Sequence, residues 1–316
     1  MLTVEKTVSD AAEKPLPKIM LADGNWVSLT GLSPDQLRDL QWEQEQQFAR
    51  AMQLFPPHSR DRALVIGQAY DTVCTILAAQ QSDEEPFVMG FDKRYGRLVL
   101  DLLYRQVDRG IGRPRLFEIG YGTGTLLKTI GEHGFPAGGV EISATMREQA
   151  IATLGAVHSD ELLLGDLRSV DPASFIDKPS LVYWNDVFEH ICPDEISAYL
   201  EHIHSLLLPG GSLVTITPNW LLRPSDVTRL FCPLRTEARG LHLKEYRLAE
   251  VVELLKKAGF KRIATPLMVS RSRIYLAGNG LRYFKQIVEP LLDRLPVDKS
   301  HLLCRGMGLS YTIATK

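Results

Sequence analysis

The sequence predicts an α/β fold, a doubly wound and mostly parallel sheet behind an N-terminal helical extension. Three observations carry this. From about residue 113, short apolar runs alternate with helical segments, the pattern of successive βαβ units. The run at 115–119 leads straight into a turn holding Gly120, Gly122 and Gly124, followed by a helical stretch. Residues 25–91, by contrast, read mainly as helices.

The elements follow in order. Residues 1–24 are charged and small with two prolines, and are expected to be a flexible tail. Ser33-Pro34-Asp35-Gln36 starts a helix: a Ser cap, Pro in the first turn and Gln three residues after the cap. Leu37, Leu40, Phe48 and Met52 recur near helical spacing, and Pro56-Pro57 stops the run. Ser59 caps a second helix with Leu64, Ala69, Val73, Ile76 and Leu77 on its apolar face. A third spans Arg94 to Val107. Strands are predicted at 115–119, 137–141, 161–164, 180–185 and 212–217, with helices near 123–132, 143–153 and 194–207. A further helix runs over 248–258 and stops at Gly259. Two β-like runs, 262–269 and 309–315, flank an amphipathic segment at 281–295. The chain thus divides into a tail (1–24), a helical extension (25–91) and an α/β domain (92–316). Long insertions at 218–247 and 271–306 are expected to act as substrate lids.

Composition excludes some classes. Lys plus Arg is 36 against 38 for Asp plus Glu, so no basic excess favours a nucleic-acid partner. The four cysteines, at 74, 192, 232 and 304, form no CxxC pair, which suits reduced, buried thiols in a cytoplasmic protein. No apolar run approaches the ~20 residues of a membrane span, and the first residues hold no hydrophobic secretion core.

The glycine turn is the most informative run. Glycines remove Cβ atoms where backbone turns sharply and approaches a ligand closely. Glu141 follows Gly120 by 21 residues, at the end of the next predicted strand, where a carboxylate can accept both hydroxyls of a ribose. Thr125 stands where a dinucleotide fingerprint needs Gly or Ala. Glu118, two residues before the loop, repels a pyrophosphate and suits an ammonium-bearing ligand. The ligand implied is a nucleoside carrying an amino acid.

Glu118-x-Gly120-x-Gly122-x-Gly124 resembles motif I of the class I S-adenosylmethionine-dependent methyltransferases. Gly165-Asp166, Asn185-Asp186-Val187-Phe188-Glu189-His190 and Leu208-Pro209-Gly210-Gly211 resemble later signposts of the ubiquinone-biosynthesis-like branch. The resemblance covers about 92–316. It implies a Rossmann-like sheet of seven strands with the last antiparallel, and S-adenosylmethionine as cofactor. It places Glu118, Gly120, Tyr121, Gly122, Gly124, Glu141, Ile142, Asp166, Leu167 and Asn185 around that cofactor, with Asp166 facing the adenine amino group. Arg94 or Tyr95 is implied to touch the methionine carboxylate.

Methyl transfer to a hydroxyl needs alignment, exclusion of water, and a base or a metal for the proton. Asp186, Glu189, His190 and His242 are the candidates. By resemblance to catechol and small-RNA 2′-O-methyltransferases they form a divalent-metal set, although a metal is not favoured. His190 can equally serve as base or orient its loop, and His242 as base or substrate contact. Trp184, Trp220 and Phe231 could wall a substrate pocket, with core packing the favoured role for Trp184. Arg223, Arg229, Arg235 and Arg239 could meet an acidic group. The expected enzyme is a methyltransferase acting on a small-molecule acceptor, most readily at a hydroxyl oxygen. RNA 2′-O-methylation, N-methylation and a degenerate binding subunit are the alternatives. The N-terminal helices are expected to cap the site or to mediate a homodimer.

Overall fold

The computed structural model describes residues 18–81, 92–155, 161–171, 173, 177–276 and 280–316. Residues 1–17 of the expected tail and 82–91 of the expected helical extension lie outside them.

Residues 18–24 differ from the expected flexible tail, and 26–28 from the helices expected after it. β1 (Lys18–Met20) and β2 (Trp26–Ser28) pair antiparallel, Ile19 opposite Val27. Ile19 is buried with Leu29, Leu37 and Ile76, an apolar anchor too short to register as a periodic pattern. α1 (Pro34–Leu54) starts on the predicted capping box: the Gln36 backbone N–H donates to Ser33 Oγ, and the Ser33 N–H to Gln36 Oε1 at 2.8 Å. Ser59 caps α2 (Arg60–Ala79) through the Arg62 N–H at 3.2 Å. α3 (Lys93–Asp108) then leads to the sheet.

The sheet strands are β3 (Leu116–Ile119), β4 (Ala137–Glu141), β5 (Leu162–Leu164), β6 (Leu181–Asn185), β7 (Ser212–Ile216), β8 (Arg262–Ala264) and β11 (Tyr311–Thr315). Their order is β5-β4-β3-β6-β7-β11-β8. β3 pairs parallel with β4 and β6, and β6 with β7, while β11 runs antiparallel between β7 and β8. The strand order therefore reverses at β3, the place where open parallel sheets take ligands at their C-terminal ends. α4 (Thr125–Glu132), α5 (Ala144–Leu154), α6 (Ile196–Leu206) and α7 (Leu248–Lys257) complete the layers. Two large apolar clusters form the core, one around Phe117, Trp184 and Leu200, the other around Leu103, Leu127 and Tyr183.

The C-terminal third departs from the sequence reading in two ways. The run at 262–269 is two strands: it breaks at Thr265, and β9 (Pro266–Val269) leaves the main sheet to pair with β10 (Ile274–Leu276). The amphipathic segment gives α8 (Leu281–Leu292), and a second helix, α9 (Val297–Met307), follows it. α9 opens behind Pro296 and its run Val297-Asp298-Lys299-Ser300-His301 carries little apolar periodicity, so its pattern is weak.

Candidate active site

The glycine loop bends as its residues demand. Gly120, Gly122 and Gly124 have φ of +71°, +51° and +74°. A Cβ on Gly120 would stand 2.6 Å from Val187 Cγ2, and one on Gly124 2.8 Å from Leu154 Cδ1, so neighbouring elements also close on the loop. Glu141, at the end of β4, buckles the loop in place. Its Oε2 accepts the Gly122 N–H at 3.0 Å, and its Oε1 the N–H groups of Ile142 and Ser143 at 2.8 and 3.0 Å. Burial raises the Glu141 carboxyl, and these backbone donors act against that rise.

Glu118 lies on β3 behind the loop. It is buried, and its Oε2 has no hydrogen-bond partner. Burial, and secondarily the charge of Glu141, push it well above the ordinary carboxylate range. A buried acid without a partner beside a glycine loop suits a cationic group.

A cavity of about 290 Å³ opens between α2 and the C-terminal ends of β3, β4 and β6. Of the predicted residues, Gly120, Gly122, Glu141, Ile142, Asp166, Leu167, Asn185, Asp186 and His190 line it. Glu118, Tyr121 and Gly124 are not on its wall. The Tyr121 hydroxyl donates to the Leu163 carbonyl at 3.1 Å, which braces the loop from outside. Arg94 is engaged by Asp92 and donates to the Ser270 carbonyl at 3.1 Å; Tyr95 packs edge-on to Tyr311. Neither lines the cavity. Asp166 lines it with its carboxylate already occupied, by Arg168 Nη2 at 2.6 Å and the Tyr199 hydroxyl at 2.7 Å.

One wall was not assigned from the sequence. Ile66, Tyr70, Val73, Cys74 and Leu77, all on α2, face the cavity. The face expected for this helix was Leu64, Ala69, Val73, Ile76 and Leu77; of these only Val73 and Leu77 line the cavity, Ala69 and Ile76 are buried elsewhere, and Leu64 is exposed, because the docking of α2 decides which side of it is covered. A chain of ion pairs docks it. Glu195 Oε1 accepts the His58 N–H at 2.6 Å and Arg168 Nη1 at 2.7 Å, and Arg62 Nη1 reaches Asp194 at 2.8 Å.

The histidines meet beside the cavity. His190 Nδ1 donates to the Leu241 carbonyl at 2.9 Å, because a carbonyl can only accept. Its Nε2 therefore keeps a lone pair. Its ring lies edge-on to Tyr70 at 5.5 Å and to His242 at 4.7 Å. His242, one layer further in, donates from Nδ1 to Glu245 Oε1 at 3.2 Å. Its Nε2 stands 3.9 Å from Glu189 Oε1, beyond hydrogen-bond length. Glu189 is fully buried; Oε2 accepts the Thr217 hydroxyl at 2.9 Å, and Oε1 has no hydrogen-bond partner.

Charge follows from this packing. Burial, then the positive charge of His242, pushes His190 down to about 3, so it is neutral. Burial opposes the His242 cation, but the Glu245 hydrogen bond and the Glu189 charge outweigh it and lift His242 to about 9. Asp186, which lines the cavity, holds a left-handed φ of +51°, strained for a residue with a Cβ, and its Oδ2 accepts Asn185 Nδ2 at 2.8 Å.

The remaining candidates lie elsewhere. Trp184 is fully buried in the core and donates to Thr215 Oγ1 at 2.7 Å. Trp220 lies under the guanidinium groups of Arg223 and Arg247, and Phe231 stacks on Trp42 at 4.9 Å. None of the three lines the cavity. Arg235 donates to the Leu295 carbonyl at 2.5 Å, and Arg229 and Arg239 are also away from the wall. The insertion at 218–247 contributes Leu241 to the cavity, and none of the described residues of 271–306 lines it.

Comparison with known proteins gives a consistent family. The profile described as "Methyltransferase domain" matches residues 91–265. A curated relative, the carboxy-S-adenosyl-L-methionine synthase of Shewanella woodyi, is 24% identical over 170 residues, 53% of this chain and 66% of its own length. The chain thus spans just under two thirds of that relative. Among solved structures, magnesium protoporphyrin IX methyltransferase from Synechocystis is 17% identical with a TM-score of 0.45, over 67% of this chain and 95% of its own. A SAM-dependent methyltransferase from Archaeoglobus fulgidus is 18% identical with a TM-score of 0.43, over 70% and 94%.

Proposed function

The chain belongs to the methyltransferase-domain family, and on that premise we propose that it transfers a methyl group from S-adenosylmethionine to a hydroxyl oxygen of a small-molecule acceptor. The single observation that carries the cofactor reading is Glu118, a buried carboxyl with an unpartnered oxygen beside three positive-φ glycines. S-adenosylmethionine supplies a methyl group activated by a cationic sulfur. The residues supply the rest. Glu118, behind the loop and off the cavity wall, offers a buried counter-charge to the ligand's cationic end, and Glu141 lines the cavity while holding the loop. The α2 stripe and Leu241 exclude water from one side.

The hydroxyl reading rests on His190. It lines the cavity as a neutral imidazole whose Nδ1–H is fixed on Leu241, so Nε2 is turned into an acceptor. As the acceptor oxygen bonds to carbon, the C–S bond breaks and the hydroxyl proton passes to His190 Nε2. An oxygen acquiring a third bond is strongly acidic, so even a weakly basic imidazole can take that proton.

A second reading has its own observation. Glu189 Oε1 has no hydrogen-bond donor, and ligand atoms of Glu189, His190 and His242 lie within 4.8 Å of one another, so a cation there would displace the extra proton of His242. Both imidazoles are held from behind, by Leu241 and Glu245, as metal-ligating histidines are. These residues fit a divalent cation, whose chemistry there would be to acidify the acceptor hydroxyl.

Isothermal titration of the purified protein with S-adenosylhomocysteine tests the cofactor; absence of binding refutes it. His190→Gln is expected to lower kcat by about 10²-fold or more with affinity for S-adenosylhomocysteine kept. Metal content and thermal shifts with Mn²⁺ or Zn²⁺ separate the two readings. A shift lost in His242→Gln supports the metal, and no shift supports the base alone.

A further inference from the structure

Three guanidinium groups meet where the 218–247 insertion packs on the end of α8. Arg223 and Arg247 lie over the Trp220 ring, their guanidinium carbons 3.0 and 3.8 Å from its centroid. Both reach the same carboxylate: Arg247 Nη2 is 3.3 Å from Asp293 Oδ2, and Arg223 Nη1 is 3.9 Å from Asp293 Oδ1. Arg235 joins them. Its Nη2 donates to the Leu295 carbonyl at 2.5 Å, two residues beyond Asp293, and its backbone N–H to the Arg223 carbonyl at 2.8 Å. Each contact shares a residue or a turn with the next, so the three arginines form one cluster.

The charges in it do not balance. Three guanidinium cations meet one carboxylate, and the negative end of α8 offers roughly half a charge more. Among the described residues no acid pairs with Arg235, whose side chain bonds only the Leu295 carbonyl. Glu245, the next acid near Arg223, is already taken by His242 at 3.2 Å and the Ser225 N–H at 2.7 Å. Arg223 is 8% exposed, and Arg247 Nη1 is enclosed without a hydrogen-bond partner. Burial lowers the Arg223 guanidinium from its ordinary value, and Arg247 and Arg235 add to that fall against the pull of Asp293. Stacking on Trp220 accounts for two of the cations. It does not account for the third, which Arg235 brings in from a left-handed φ of +70°, a backbone cost that persists only where the surroundings hold it.

We propose that this cluster is a binding site for a phosphate group, held by Arg223, Arg235 and Arg247 beside the turn that follows α8. The planar guanidinium fork matches phosphate oxygens in pairs, which a chloride or a single carboxylate cannot use as fully. A phosphoryl group carries about −1.5 to −2 charges at neutral pH, close to the surplus that Asp293 and the helix end leave. The site is separate from the methyltransferase reading, since none of the three arginines lines the cavity. A phosphate bound there ties the insertion to the α8–α9 turn from outside that cavity.

Titration calorimetry of the full chain with inorganic phosphate, at an ionic strength fixed with chloride, tests this. The wild type is expected to bind one phosphate, and Arg235→Gln and Arg247→Gln each to weaken it by about 10-fold or more while keeping the affinity for S-adenosylhomocysteine. Arg109→Gln, at an exposed position ending α3, is expected to leave phosphate binding intact. Phenyl phosphate is the second probe. Tighter binding of the ester identifies the phosphoryl group of a larger molecule as the ligand, and equal or weaker binding identifies free phosphate. Should the variants fail to fold, hydrogen exchange of the wild type replaces them: phosphate should slow exchange at 220–223, 235–236 and 293–295. Absence of binding by both probes overturns the proposal. So does phosphate binding that survives both Arg235→Gln and Arg247→Gln, or protection that falls only elsewhere in the chain. Acetate binding as tightly as phosphate also overturns it, because the cluster would then be a diffuse positive surface.

Discussion

Glu118 sets folding against binding at a single residue. Its carboxyl is buried with one oxygen unpartnered, and burial, then the charge of Glu141, raise it well above the ordinary range, which favours the protonated form. A cationic ligand reverses that preference, because the ionised form then gains a partner. Glu118→Gln should therefore leave thermal stability unchanged or higher, yet weaken S-adenosylhomocysteine binding by about 1.5–3 kcal/mol, as for a charge-assisted hydrogen bond. Calorimetry and a melting curve on the same variant read both signs, and a fall in both would assign Glu118 to structure alone. The same linkage means that cofactor binding releases a proton, so affinity should rise with pH until the empty site ionises. Glu141→Ala should instead lower stability and affinity together, since three backbone N–H groups lose their acceptor. These two acids were legible because their distances from the glycines are fixed by local geometry: one strand residue, one βα unit. Tyr70 and Cys74 were not, because nothing local says which surface a helix stripe will meet.

The α1–α2 pair is held over the sheet by contacts that join distant parts of the chain. Glu195 Oε1 takes the His58 N–H across 137 residues, and Glu45 Oε2 takes the Leu241 N–H across 196. Caps such as Ser33 and Ser59 are local and could be read off the sequence, whereas these partners are chosen only when the layers pack. Glu195→Ala leaves Arg168 and Arg62 without their shared buried acid. It should cost about 3–5 kcal/mol, with faster hydrogen exchange across 34–79 than across the sheet. Uniform exchange would show that the pair does not act as a separable cover. Glu45 adds a pH signature. Burial, opposed by the Gln41 and Leu241 hydrogen bonds, lifts its carboxyl to about 7. With an unfolded value near ~4.3, the folded state binds the extra proton between those limits, so stability should fall as pH rises from ~4.3 to about 7. Glu45→Gln should flatten that slope in urea titrations at several pH values. An unchanged slope would mean that another group controls it.

At the scale of the molecule, the cavity belongs to both halves of the chain. The sheet supplies the polar floor at the reversal of strand order, and α2 supplies the apolar roof. Sequence pattern named the strand-end part of that floor, from Gly120 and Glu141 to Asp166, Asn185 and His190, but not Ile119, Val140, Met146, Ile191, Cys192, Glu195 or Tyr199, which line it only once the layers pack. The roof is tertiary, as is the outward face of α8, where buried Lys285 and Glu289 follow the needs of other helices rather than the polarity pattern of their own. A ligand in such a cavity must couple the halves. S-adenosylhomocysteine at about 100 times its dissociation constant stabilises a folded protein by ~2.7 kcal/mol. If α2 is a true wall, that stabilisation should appear as slowed exchange in 60–79 as well as in 120–124 and 141–143. The two sets should rise with the same ligand concentration, because one binding event closes both. Protection limited to the glycine loop and Glu141 would separate the roof from the site. The N-terminal extension would then be a neighbour of the enzyme rather than part of it.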